Sequence, residues 1–261
     1  ANNVENFELS ENLNEEKETD TQKKKNNMIN IAPFELIPYI LSSASTVFEA
    51  RKLLGEINLV DINFADELPL SPLHWMLSDN SGKSIVVEPL EDGLKIYDNP
   101  VGVLTNNPPF DKQLLTLNNY RSLSNKNPEN TFGKNIDLDE YSRGMGAIGL
   151  PGDLSSSSRF AKVAFTRANS YSSGDEESSV SQFFHILGSV EQQKGYTFIS
   201  DPDLFEYTIY TSCYNTNDGI LYYRTYNNSQ ITAVSLANDD LDSKDLINDL
   251  LIDEEHINFI N

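Results

Sequence analysis

Residues 99–110 read Asn-Pro-Val-Gly-Val-Leu-Thr-Asn-Asn-Pro-Pro-Phe. The apolar run Val101–Leu104 predicts a buried strand, and the pair Pro108-Pro109 ends it because proline has no backbone N–H to donate to a sheet. Asn106 and Asn107 therefore stand at a strand end. A carboxamide donates two N–H groups without carrying a charge, which suits an oxyanion that develops on a carbonyl carbon. By themselves, these residues favour the simpler interpretation of a turn that closes the strand.

Apolar periodicity and turn residues predict both helices and strands around this stretch. Before it, the predicted elements are a helix from Pro33 to about Ser42, a helix that Thr46 caps, and the strands Leu59–Ile62, Leu73–Leu77, Ser84–Glu88 and Leu94–Tyr97. After it, three helices are predicted at Lys112–Tyr120, behind Ser158 and at Val180–Gln192. An antiparallel meander of Glu206–Tyr214, Ile220–Tyr226 and Ile231–Leu236 follows, and then a peripheral helix Leu241–Ile252. The pattern alone indicates an α+β protein.

Longer motifs along the chain resemble the choloylglycine hydrolase family, which contains bile salt hydrolases and penicillin V acylases. The motifs are Leu104–Pro108, Leu117–Tyr120, Tyr141–Gly146, Leu150–Ser156, Ser179–Leu187, Tyr207–Asn215 and Tyr226–Gln230. They follow the family's order from about Ile31 to Leu246, which is most of the chain. The resemblance implies the four-layer αββα sandwich of N-terminal-nucleophile hydrolases, and it implies that Asn107 donates its side-chain amide to the oxyanion.

Arg159 follows a run of capping residues, Asp153–Ser158, so it is predicted in the first turn of a helix. A cation there opposes the positive end of the helix dipole, which indicates an anionic partner. A salt bridge to a nearby carboxylate is the alternative. The resemblance implies that Arg159 is the family's catalytic arginine, which favours a thiolate over a thiol.

The segment Phe64–Pro72 is too rich in proline for regular structure. Its apolar side chains, Phe64, Leu68 and Leu70, either pack beneath the loop or contact an apolar ligand. The two interpretations stay open on position alone. In the family this loop helps to build the steroid-binding wall, so the resemblance implies substrate binding by these three residues.

The attacking group of this family is a cysteine at the mature N-terminus. This sequence begins at Ala1, and its one cysteine is Cys213. Cys213 falls inside a predicted strand and is interpreted as a small buried hydrophobe. We therefore expect that the leading segment with the nucleophile and the leading strands is absent, and that this chain alone is inactive without it.

Composition narrows the possible partners. The 40 acidic and 19 basic residues give a formal net charge of −21, which argues against nucleic acid and anionic membranes as partners. The single cysteine excludes an internal disulfide framework. The three histidines have no metal-site spacing, so no metal is predicted. The absence of an apolar targeting or spanning segment predicts a cytoplasmic protein, and the resemblance implies a homotetramer.

The glycines of Gly144–Gly149 satisfy the dinucleotide pattern GxGxxG, but no buried strand precedes them and no helix opens directly behind them. No cofactor is predicted. The predicted organisation is a polar inserted loop or arm at residues 1–30, an N-terminal-nucleophile hydrolase domain that is incomplete at the front at 31–247, and an acidic tail at 248–261.

The function predicted from the resemblance is hydrolysis of the amide bond in glycine- or taurine-conjugated bile salts, so the expected partner is this small molecule. Two alternatives stay open. One is a truncated, non-catalytic member of the family. The other is a penicillin V acylase, which performs the same chemistry on another acyl group.

Overall fold

A computed structural model of the protein describes residue 25, residues 27–199 and residues 204–260. These residues form two compact units. The first contains the described residues up to Asp79 together with Ser84–Asp98, and the second contains Asn80–Lys83 and the chain from Asn99 onwards. Most of the predicted inserted loop at 1–30 lies outside the described residues, so the domain boundaries stay a prediction.

The first unit begins with two parallel strands that two helices connect. Strand β1 (Ile29–Ile31) pairs with β2 (Ile57–Leu59), and α1 (Leu36–Ser43) and α2 (Val47–Leu54) lie between them in sequence. The predicted capping residue is confirmed, because the Thr46 side chain accepts a hydrogen bond from the Glu49 N–H at 3.2 Å. The predicted strand Leu59–Ile62 was wrong in position, since pairing stops at Leu59.

The same unit contains an antiparallel sheet of β3 (Trp75–Ser78), β4 (Ser84–Leu90) and β5 (Gly93–Asp98) in that spatial order. The central strand is the most buried, and Ile85, Val86 and Val87 are each no more than 1% exposed. Because β4 has a partner on both edges and apolar side chains on both faces, it anchors the core of this unit.

Among its described residues, the second unit contains three α-helices and an antiparallel meander. The helices are α3 (Phe110–Thr116), α4 (Ser156–Ala168) and α5 (Glu176–Gly188). After a short hairpin of β6 (Thr197–Phe198) and β7 (Phe205–Glu206), the meander consists of β8 (Tyr210–Asn215), β9 (Ile220–Thr225) and β10 (Thr232–Ser235). The predicted meander is thus confirmed, with shorter strands.

Two contacts hold the helices of the second unit in place. The rings of Phe110 on α3 and Phe160 on α4 meet edge to face with centroids 6.0 Å apart, and both are almost fully buried. At the start of α5, a Glu176 carboxylate oxygen accepts from the Tyr222 hydroxyl of β9 at 2.7 Å. This bond raises the pKa of Tyr222 to about 12, and hydrogen bonds from Asn215 and Tyr222 lower the pKa of Glu176.

The predicted strand Val101–Leu104 was wrong, because this run is irregular. Asn99 accounts for the difference: its Oδ1 accepts from the Gly102 N–H at 2.8 Å, and its Nδ2 donates to the Val103 carbonyl oxygen at 3.1 Å. The side chain therefore uses backbone groups that a sheet partner would otherwise bond. Gly102 also has a φ of +59°, outside the range of a strand.

The predicted helix Leu241–Ile252 was also wrong, because these residues are irregular. Side chains take backbone N–H groups that a helix would use: Asp240 accepts from Asp242, and Ser243 accepts from Asp245. Leu246 is 91% exposed, so no apolar face packs here to stabilise a helix.

Candidate active site

The loop from Asn99 to Pro109 lies along helix α4. Near the helix C-terminus, Arg167 Nη1 donates to the Val101 carbonyl oxygen at 2.9 Å. Gly102 lies against the same guanidinium, since a Cβ at this position would come within 3.0 Å of Arg167 Cζ. A side chain at Gly102 would therefore have to displace the guanidinium of Arg167, in addition to straining a backbone with positive φ.

Near the N-terminus of α4, Thr105 joins the loop to two helices. Its Oγ1 lies 2.9 Å from Gln113 Oε1 on α3 and accepts from Ser156 Oγ at 3.1 Å. Gln113 Nε2 also donates to the carbonyl oxygens of Asn106 and Pro108. The polypeptide that bears the two asparagines is consequently fixed from both sides.

Arg159 lies in the first turn of α4, as predicted. Its Nε donates to the Leu154 carbonyl oxygen at 3.0 Å, and its Nη2 donates to Asn106 Oδ1 at 3.0 Å. In the described part of the chain, the ion pairs join Arg51 to Asp98, Lys95 to Asp92 and Arg224 to Glu191, and none includes Arg159. Because both of these acceptors are uncharged, the positive charge of Arg159 is available to an anionic partner.

Asn107 was predicted from sequence as the functional asparagine, whereas the contact with Arg159 is made by Asn106. A guanidinium has donors only, so the atom of Asn106 that faces Arg159 must be Oδ1. This fixes the orientation of the amide and turns Nδ2 away from the guanidinium. Sequence could not distinguish the two asparagines, because the contact with Arg159 joins residues that are 53 positions apart and has no local signal.

Asn106 and Arg159 line one open cavity of about 400 Å³ in the second unit. The other lining residues are Asp153, Leu154, Ser155, Ser156, Gln192, Tyr196, Thr197 and Glu206. Asp153 carries a negative charge at neutral pH, and hydrogen bonds from Ser155 and Ser158 lower its pKa to about 2. The lining is therefore polar and carries charges of both signs.

Asn107, the residue after Asn106, is exposed, and its peptide bond to Pro108 is cis. Its predicted role as oxyanion donor needs a substrate to test it and stays a prediction. In the part of the chain that the structure describes, no group of three or more histidine, cysteine and acidic side chains is placed to hold a metal ion.

The predicted substrate-binding residues Phe64, Leu68 and Leu70 belong to the first unit, whereas Asn107 and Arg159 belong to the second. Phe64 is 70% exposed and Leu68 is 57% exposed, while Leu70 is half-buried. The Phe64 ring meets the Phe34 ring edge to face at 5.3 Å. Two of the three side chains are therefore not packed beneath their loop and present apolar surface.

Cys213 lies in the interior of β8, opposite Tyr222 of β9. It is half-buried, and burial raises the pKa of its thiol. A raised pKa reduces the thiolate fraction at neutral pH, so Cys213 has neither the environment nor the charge of an activated nucleophile.

The model of the family described as linear amide C–N hydrolases, choloylglycine hydrolase family, matches residues 10–249. The chain belongs to the choloylglycine hydrolase family. It is 59% identical over 228 residues to the bile salt hydrolase/transferase of Lactiplantibacillus plantarum, covering 87% of this chain and 70% of that relative. It is 38% identical over 218 residues to the bile salt hydrolase/transferase of Clostridium perfringens, covering 83% of this chain and 66% of that relative.

The structure of this choloylglycine hydrolase family member is similar to a solved crystal structure, that of a cysteine-to-alanine mutant of conjugated bile acid hydrolase from Clostridium perfringens. The TM-score is 0.84 at 35% identity, and the match covers 92% of this chain and 73% of that chain. This likeness confirms the predicted N-terminal-nucleophile hydrolase fold of class α+β. Among the described residues, no helix is both long and apolar enough to cross a membrane.

Proposed function

We propose that this chain forms the body of a cysteine amidase that hydrolyses the amide bond between a steroid acid and glycine or taurine in conjugated bile salts. The observation that carries the proposal is Arg159, a guanidinium whose hydrogen-bond partners are neutral and which lies beside the carboxamide of Asn106 in an open cavity. Identity to bile salt hydrolases supports the substrate class.

The nucleophile is a cysteine thiol on a segment outside these 261 residues. The thiolate attacks the carbonyl carbon, the C–N bond breaks, and the amine takes up a proton and leaves as glycine or taurine. Water then attacks the resulting thioester, which releases the steroid acid and restores the thiol. Cys213 is excluded from this role by its position in a strand and by the raised pKa of its thiol.

Each site residue has one role in this reaction. The charge of Arg159 lowers the pKa of the attacking thiol and so increases the thiolate fraction. Asn107 donates a side-chain N–H to the oxyanion, a contribution of about 3 kcal/mol to the transition state. Phe64, Leu68 and Leu70 contact the apolar steroid, and the exposure of Phe64 and Leu68 supports this role.

The test measures the release of glycine and taurine from conjugated bile salts, beside phenoxyacetate release from penicillin V. Two forms are compared: the 261-residue chain, and the same chain with an N-terminal segment that begins with cysteine. Release of the amino acids by the longer form alone supports the proposal. Preferential cleavage of penicillin V would assign the acylase activity instead.

Inactivity of both forms would favour a non-catalytic member of the family. Turnover by the 261-residue chain alone would contradict the position of the nucleophile. In that case Cys213→Ala decides whether the thiol of β8 performs the attack, because the substitution removes the sulfur with little change in volume.

A transferase activity follows from the same intermediate, and the names of the two relatives include it. An amine that attacks the thioester in place of water forms a new amide and releases the same thiol. The longer form is incubated with a conjugated bile salt and an excess of a different amino acid. New conjugates detected by mass spectrometry support this activity, and release of free steroid acid alone argues against it.

A further inference from the structure

Gln113 is a polar side chain in the core of the second unit, with 1% of its surface exposed. Its Nε2 donates to the carbonyl oxygens of Asn106 and Pro108, the latter at 2.8 Å. Its Oε1 accepts from Thr105 Oγ1 at 2.9 Å. All three bonds go to residues 105–108, so the amide of Gln113 is committed to the loop that bears the two asparagines.

Two of these four residues, Thr105 and Asn106, are also bonded by helix α4. Ser156 Oγ donates to Thr105 Oγ1 at 3.1 Å, and one turn further along the helix Arg159 donates to Asn106 Oδ1. The loop is therefore clamped between Gln113 of α3 and the first turn of α4.

The packing of α3 on α4 is supplied by the buried rings of Phe110 and Phe160. An apolar side chain at position 113 would fill the same volume without the cost of burying an amide. The polar atoms of Gln113 are instead used to orient the backbone of the loop.

We propose that Gln113 is a positioning residue that holds the carboxamides of Asn106 and Asn107 in place for amide hydrolysis. This inference rests on the proposed function. A donor to an oxyanion contributes only when it lies at hydrogen-bond distance from the developing charge, and a displacement of about 1 Å costs about 10²-fold in rate. Since the oxyanion exists only after the attack, losing Gln113 lowers kcat and leaves KM near its original value.

The experiment uses the chain with its nucleophile-bearing segment and compares Gln113→Met with the unchanged enzyme. Methionine has a similar length and volume but cannot donate to the two carbonyl oxygens. The expected result, with a glycine-conjugated bile salt, is a fall in kcat of about 10²-fold and a KM within about twofold. Circular dichroism and the Tm show that the variant is folded at the assay temperature.

The control is Asn228→Ala, which also removes a buried amide from the second unit. Asn228 is 3% exposed, and its Oδ1 accepts from the Gln230 N–H in the turn between β9 and β10. This variant is expected to lower Tm while keeping kcat. An equal loss of kcat in both variants, or an unchanged kcat in Gln113→Met, would overturn the inference.

Two further experiments cover the cases in which Gln113→Met does not fold or the unchanged enzyme is inactive. If Gln113→Met does not fold, Gln113→Asn retains the amide but withdraws it by about 1.5 Å, and it must show the same fall in kcat. If the unchanged enzyme does not cleave conjugated bile salts, the proposed function fails, and the crystal structure of the variant then tests Gln113 separately. An unchanged distance between Asn106 Oδ1 and Arg159 Nη2 in that structure would refute the positioning role.

Discussion

Asn106 and Asn107 are neighbours in the chain and both are exposed, and Asn106 receives a hydrogen bond from Arg159. Each single alanine variant removes one carboxamide, so the pair serve as controls for each other. Asn107→Ala is expected to lower kcat by about 10²- to 10³-fold with little change in KM. If Asn106→Ala shows this loss and Asn107→Ala does not, the oxyanion donor is Asn106.

Gly146 is a second residue whose surroundings allow a sharp prediction. Its carbonyl oxygen accepts from the Ser124 N–H at 2.9 Å, and a Cβ on Gly146 would lie 2.0 Å from the Lys126 carbonyl oxygen. Gly146→Ala must displace backbone, so its free energy of unfolding is expected to fall by about 3 kcal/mol. Gly152→Ala is the matched control, because a Cβ there meets nothing within 4 Å. Urea denaturation measures the free energy of unfolding of both variants. Equal values would contradict the close approach of Gly146 to the Lys126 carbonyl oxygen.

At the scale of the element, the start of α4 depends on a charged side chain. Asp153 accepts from the Ser155 N–H at 3.0 Å and from the Ser158 hydroxyl at 2.7 Å, and these bonds lower its pKa from 3.8 to about 2. A lowered pKa contributes stability that is present above pH 4 and is lost as the pH falls towards 2. The difference in Tm between the protein and Asp153→Ala is therefore expected to be constant above pH 5 and to shrink between pH 4 and pH 2. A difference that does not change with pH would show that the carboxylate charge plays no part.

Elements with a strong local signal were predicted well from sequence. Thr46 caps α2 in the expected way, and the meander appears between the expected turns. The helix predicted over Val180–Gln192 was wrong at both ends, since Asp175 caps α5 and accepts from the Ser178 N–H at 2.8 Å. Asn99 shows why the strand Val101–Leu104 was wrong: a single side chain that bonds two backbone groups outweighs the apolar pattern of the run.

At the scale of the whole molecule, the formal net charge of −21 opposes the approach of an anionic substrate. The conjugated bile salts of the proposed reaction carry a carboxylate or a sulfonate, so salt that screens the long-range field is expected to raise kcat/KM between about 10 and 150 mM ionic strength. The measurement uses substrate well below its micelle concentration. A fall in kcat/KM with salt would instead indicate that local cations such as Arg159 dominate the attraction.

The family and the fold class could be predicted from sequence because several motifs occur in the family's order over most of the chain. The arrangement of the site could be predicted only in part. Arg159 was predicted in the first turn of a helix from the capping residues before it, and the structure places it there. The bond to Asn106 and the clamp by Gln113 are long-range contacts between separate segments, and they have no local sequence signal.

The half-buried thiol of Cys213, which has no part in the proposed reaction, can serve as a site for chemical labelling. It is the one cysteine of this 261-residue chain, and it lies opposite Tyr222 in the β8–β9 pair. Because the thiol is only half-buried, the rate at which a thiol reagent labels it reports how accessible this face of the β8–β9 pair is under native conditions. The sequence thus supplies its own labelling site on the meander, at a position where no cysteine needs to be introduced.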